Sequence, residues 1–139
     1  MDTASALGEI LLHLIRRKAG SRATADTLGI ARLVDYIQNH YREAMTLETM
    51  AGYLRVSTSH LSHEFRRQCG MAPIEYLLHI RVENARQMLA LTDRPIYEIA
   101  EQMGFSDVNN FTRQFKKRTG MTPRDYRHSL TLQEQRPER

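Results

Sequence analysis

Two stretches, Thr46–Tyr76 (TLETMAGYLRVSTSHLSHEFRRQCGMAPIEY) and Pro95–Tyr126 (PIYEIAEQMGFSDVNNFTRQFKKRTGMTPRDY), are copies of one pattern. Leu47, Ala51, Leu54 and Ser57 recur 49 positions later as Ile96, Ala100, Met103 and Ser106. Leu61, Phe65, Gly70, Pro73 and Tyr76 recur 50 positions later as Phe111, Phe115, Gly120, Pro123 and Tyr126. A one-residue step in the turn separates the two offsets. Each copy has a short apolar stripe at helical spacing, a turn, and a second helix rich in polar and basic residues, which is the layout of a helix-turn-helix. Two such units in one chain imply two grooves touched by one molecule.

Outward from the repeat the pattern stays helical. Ile30, Leu33, Val34, Ile37 and Tyr41 form a stripe before the first copy. Pro73 is tolerated at the first position of a helix and opens a long one between the copies, whose stripe is Ile74, Leu77, Leu78, Ala85, Met88 and Leu89. Pro95 and Pro123 open later helices by the same device, the last a short one through Tyr126. No alternating run of β-branched residues persists long enough for a strand. The fold expected is all-α over residues 30–129, with a flexible tail at 130–139. Ahead of it, Leu7, Ile10, Leu11, Leu14 and Ile15 make a short amphipathic helix closed by Arg16, Arg17 and Lys18. The small polar stretch 20–29 (GSRATADTLG) reads as a linker, which makes residues 1–29 an appendage.

Composition narrows the function. The 139 residues are 41% hydrophobic, enough for one buried core, and carry a formal charge of +4. With an isoelectric point near 9.5, this favours a polyanionic partner, although only the distribution of charge argues for nucleic acid. Cys69 is the only cysteine, so an intramolecular disulfide and a cysteine-based zinc site are excluded, and a reducing compartment, the cytoplasm, is expected. The apolar run 10–15 is interrupted by His13 and falls short of the ~20 residues of a membrane span, so no membrane partner is expected.

The chemistry lies on the second helix of each copy. In the C-terminal copy Phe111 points inward while Asn109, Asn110 and Arg113 face out. Asparagine bonds adenine N6/N7 in two places and arginine does the same to guanine O6/N7. Lys116, Lys117 and Arg118 follow as candidate phosphate clamps. The N-terminal copy offers Ser59, Ser62 and His63, then Arg66 and Arg67; serine discriminates bases weakly. A basic run alone is more often a solvated face. The same order of polar readers, inward anchors and trailing bases occurring twice is what argues for DNA.

Enzyme chemistry finds no constellation. His60 and His63 lie one turn apart beside Glu64 but lack a third-ligand pattern, so no metal site is expected, and no cofactor motif is present. Cys69, at the end of a reading helix, is expected to be partly buried rather than nucleophilic. A protein-interaction module would need a contiguous apolar groove outside, whereas the apolar residues here line inward stripes.

These residues resemble the DNA-binding domain of the AraC family of bacterial transcription regulators. Pro95–Arg127 (PIYEIAEQMGFSDVNNFTRQFKKRTGMTPRDYR) matches the family signature nearly end to end. The first motif and the segment RVENARQML extend the likeness to about 100 residues. The resemblance implies seven helices in two helix-turn-helix subdomains joined by a long linker helix, bound to double-stranded promoter DNA in adjacent major grooves, with activation as the expected direction and RNA polymerase as a further partner. It implies base-facing roles for Ser59, Ser62, His63, Val108, Asn109, Asn110, Thr112 and Arg113, with Thr46, Arg66, Arg67, Lys116 and Lys117 at phosphates. The two serines depart from the larger or basic residues frequent in the family's first reading helix. Most members also carry an N-terminal effector-binding or dimerisation domain. Residues 1–29 are too few for a ligand-binding barrel, so the chain is expected to be a fragment whose helix at 7–18 is the stub of a missing sensor domain, the alternative being a stand-alone regulator; an effector ligand would bind only through the absent domain, and residues 7–18 are expected to support self-association.

Overall fold

The computed structural model describes residues 25–134, with side chains described over 29–133. Among the described residues there are seven helices and no strand: α1 (Ala25–His40), α2 (Leu47–Leu54), α3 (Thr58–Cys69), α4 (Pro73–Leu91), α5 (Ile96–Gln102), α6 (Val108–Thr119) and α7 (Pro123–Glu134). The all-α, seven-helix expectation is met. The chain divides into two compact units at Ile80/Arg81, within the long helix α4.

In the first unit, the α1 stripe Ile30, Leu33, Val34 and Ile37 packs with Met50 and Ala51 of α2, Leu61 and Phe65 of α3, and Tyr76, Leu77 and Ile80 of α4. Tyr76 is fully buried with its ring centroid 5.9 Å from that of Phe65, and its hydroxyl accepts a 3.2 Å bond from Gln38 Nε2. Burial pushes the Tyr76 phenol up to about 12, against the opposing effect of the Gln38 bond. The folded state therefore keeps a proton that the unfolded chain releases near pH ~10. Stability from this group is complete below that pH and is lost as pH rises from ~10 towards 12. A spectrophotometric titration should show one tyrosine ionising only near pH 12. Tyr76→Phe should abolish that step and flatten the alkaline loss of stability; a titration curve unchanged by the substitution would refute the assignment.

In the second unit, Val82, Ala85 and Leu89 of α4 are buried, as are Ile99, Ala100, Met103 and Phe105 around α5 and Phe111 and Phe115 on α6. The aromatic rings form a chain: Phe105–Phe111 at 5.0 Å, Phe111–Phe115 at 5.7 Å and Phe115–Tyr126 at 5.6 Å. The last pair repeats Phe65–Tyr76 of the first unit. Arg81 is buried with its guanidinium 5.8 Å from the Phe105 ring centre, and burial lowers its pKa. Arg127 of α7 donates to the carbonyls of Leu89 (3.2 Å), Thr92 (3.1 Å) and Arg94 (2.7 Å), closing the C-terminal end of α4 and the loop after it.

Three expectations are corrected. Helix α1 begins at Ala25, inside the stretch 20–29 expected as linker. Alanine is the best helix former, Asp26 suits a first turn, and one internal glycine costs only ~1 kcal/mol. A Cβ on Gly29 would meet the Leu54 side chain at 3.7 Å, ordinary contact. Helix α7 runs to Glu134 rather than stopping near Tyr126, so half of the expected flexible tail is helical. No glycine or proline follows Pro123 until Pro137, and Ser129 and Thr131 bond back to the carbonyls of Tyr126 and Arg127. On α4, Tyr76, Ile80 and Val82 are buried, whereas Leu78 and Met88 of the expected stripe are only half-buried. One end of this helix belongs to each unit, so a single stripe does not describe it. The amphipathic segment 7–18 lies outside the described residues.

Candidate nucleic-acid interface

The turn between the two helices of each motif is built twice from the same backbone bonds. After α2, Arg55 N–H donates to Gly52 at 3.1 Å and Val56 N–H to Ala51 at 3.0 Å. After α5, Gly104 N–H donates to Glu101 at 3.1 Å and Phe105 N–H to Ala100 at 3.0 Å. Both turns need a left-handed residue, supplied by Arg55 (φ 58°) in one and Gly104 (φ 94°) in the other. Helices α3 and α6 are then capped: Ser57 Oγ accepts from His60 N–H at 3.0 Å, and Asp107 Oδ1 from Asn110 N–H at 2.6 Å. The cap therefore pairs Ser57 with Asp107 rather than with Ser106, and Ser106 is the inserted residue. Gly70 and Gly120 close both helices by bonds of 2.9 and 2.8 Å to Arg66 and Lys116 carbonyls.

Helices α3 and α6 thereby turn their aromatic sides inward and their polar sides to solvent. Leu61, Phe65, Phe111 and Phe115 are fully buried. Ser59 and His63 on α3, and Val108, Asn109 and Arg113 on α6, are exposed; Ser62, Asn110 and Thr112 are half-buried. Each set lies on one helix, in separate units. The hydroxyl of Thr46 caps α2 in a reciprocal box with Thr49, at 3.1 and 2.9 Å.

The basic residues differ between the copies. Arg67 Nη2 lies 2.7 Å from Glu64, and this bond, more than any other contact, holds the Glu64 carboxyl below the usual range. Arg66 lies 3.9 Å from Glu75. Positive charge on α3 is thus partly balanced by acids. Lys116 and Lys117 are exposed, with no carboxylate at ion-pair distance among the described residues, and Arg118 donates to Gln114 at 2.9 Å. Cys69 is a buried thiol outside any disulfide. Among the described residues no cluster of three or more His, Cys, Asp or Glu could hold a metal, and no helix is long and apolar enough to cross a membrane.

Sequence reasoning missed two contributors. Arg127 has no counterpart in the repeat, since the position 50 earlier is the buried Leu77; that departure is the one signal that it has its own task. Asn110 Oδ1 accepts from Arg113 Nη2 at 3.1 Å, a link between two residues expected to act separately.

The helix-turn-helix domain family matches residues 50–129. The chain is 32% identical over 128 residues to the uncharacterized HTH-type transcriptional regulator YobQ of Bacillus subtilis, covering 92% of this chain and 50% of that protein. It is 34% identical over 101 residues to YdiP of Escherichia coli, likewise an uncharacterized HTH-type transcriptional regulator, covering 73% and 33%. The chain thus spans between a third and half of these relatives. Among solved structures it resembles the DNA-binding domain of AdpA in complex with a target DNA, with a TM-score of 0.72 at 26% identity, covering 78% of this chain and 97% of that one. It also resembles the C-terminal domain of AraT, a response regulator from Geobacillus stearothermophilus, with a TM-score of 0.73 at 34% identity, covering 86% and 97%.

Proposed function

We propose, from the premise that this chain belongs to the helix-turn-helix transcriptional regulators with the AraC-type double-motif fold, that one molecule reads two major-groove sites in promoter DNA and activates transcription. The observation that carries the proposal is the duplicated turn and cap, which turns a polar helix face outward in each unit. Helix α3 presents Ser59, Ser62 and His63 to base edges, and α6 presents Val108, Asn109, Thr112 and Arg113, with Asn110 bonded to Arg113. Thr46, Arg66, Arg67, Lys116 and Lys117 contact phosphates. Because Glu64 and Glu75 balance the α3 arginines, Lys116 and Lys117 contribute most to the salt dependence. Contact with RNA polymerase belongs to the activating role. Self-association through residues 7–18 and a cytoplasmic location complete the reading.

Substitution at α6 tests it. Arg113→Ala should cost ~1–3 kcal/mol and relax preference at one base pair. Lys117→Ala should weaken all sequences alike and reduce the salt slope by ~1. Selection of bound sequences from a random duplex library, with titrations at several salt concentrations, separates the two effects. An Arg113→Ala protein that keeps its base preference and only flattens the salt dependence would refute base reading by this residue.

A further inference from the structure

Asn110 and Arg113 stand one helical turn apart at the start of α6, and the guanidinium donates to the amide oxygen at 3.1 Å. The backbone of Asn110 is itself held by the Asp107 cap, so the acceptor has a defined place. Two-point recognition of adenine needs both the oxygen and the nitrogen of an asparagine amide. In Asn110 one lone pair of the oxygen is taken by Arg113, which orients the amide towards that partner, and the side chain is half-buried, whereas Asn109 beside it is exposed. Arg113 keeps what it needs: Nη2 carries two hydrogens, and one bonded to Asn110 leaves the other, with Nη1, for a fork onto guanine O6 and N7. Holding a long side chain in place beforehand also removes part of the rotamer freedom it would lose on docking.

We propose that Asn110 is a positioning residue that sets the Arg113 guanidinium for guanine, and that it does not itself read a base. The proposal rests on α6 being a base-reading helix. At the matched positions of the first copy stand His60 and His63, so guanine selection of this kind is confined to the C-terminal motif.

The experiment selects bound duplexes from a random library with the full chain as wild type, Asn110→Ala, Asn110→Asp, Arg113→Ala and the double variant Asn110→Ala/Arg113→Ala. Wild type should select guanine at one position of one cluster, and Arg113→Ala should lose it. Asn110→Ala should reduce the guanine preference about tenfold while leaving the salt slope unchanged. Asn110→Asp keeps an acceptor for Arg113 but has no amide donor, and should retain the preference even if overall affinity falls. The double variant should match Arg113→Ala. The inference is overturned if Asn110→Ala erases an adenine preference and spares guanine, if Asn110→Asp behaves like Asn110→Ala, or if Asn110→Ala still alters base preference without Arg113. An Arg113→Ala protein with wild-type preference would instead overturn the reading of α6 on which the inference stands.

Discussion

Arg127→Ala is expected to destabilise the C-terminal unit by about 3 kcal/mol. The last turn of a helix leaves carbonyls without intrahelical partners, and one planar guanidinium satisfies that of Leu89 in α4 together with those of Thr92 and Arg94 in the loop after it. Hydrogen bonds to charged groups contribute about 1.5–3 kcal/mol each, and the partial exposure of this site brings the sum well below three such bonds. Alanine removes all three and leaves the carbonyl of Leu89, a residue of the core, without its donor. Lysine is a point donor without the fork, so Arg127→Lys should recover less than half of the loss. Urea unfolding followed by hydrogen exchange in α4 and α7 measures this unit by itself. A change under about 1 kcal/mol would show that solvent replaces the clamp.

Insertion of five base pairs between the two base clusters is expected to lower affinity on the order of a hundredfold or more, towards that of one motif. Helix α4 is unbroken over 19 residues, a length of about 28 Å at 1.5 Å per residue. Successive major-groove faces on one side of B-DNA are ~34 Å apart, so the proposed two-groove reading requires clusters about 10 base pairs apart. Half a turn of added DNA puts one cluster on the opposite face, and a continuous hydrogen-bonded helix does not itself supply half a turn of twist. Gel-shift titrations on native, five- and ten-base-pair inserted sites measure the effect. Equal affinity for the native and five-base-pair sites would refute simultaneous reading by a rigid monomer.

Much of this molecule is legible in its sequence because helices are local objects. The 3.6-residue period placed Ile30, Leu33, Val34 and Ile37 in the core, and the repeat placed Leu61, Phe65, Phe111 and Phe115 there. With those positions buried, the exposed places of Ser59, His63, Asn109 and Arg113 follow from helical geometry alone. Boundaries were harder, since Ala25–Gly29 has the composition of a linker and becomes helical with the rest of α1. The position of the inserted residue depended on which side chain capped α6, and both Ser106 and Asp107 are good caps. The alternation of inward stripes and outward charges along each helix, and with it the duplicated motif, was determined by the sequence itself. Only the tertiary structure decided where Arg127 donates, how Arg81 comes to lie over Phe105, and which group bonds Tyr76. An apolar residue needs only burial, which periodicity reveals. A long polar side chain needs a particular partner, and for Arg127 and Tyr76 that partner lies more than thirty residues away in the chain.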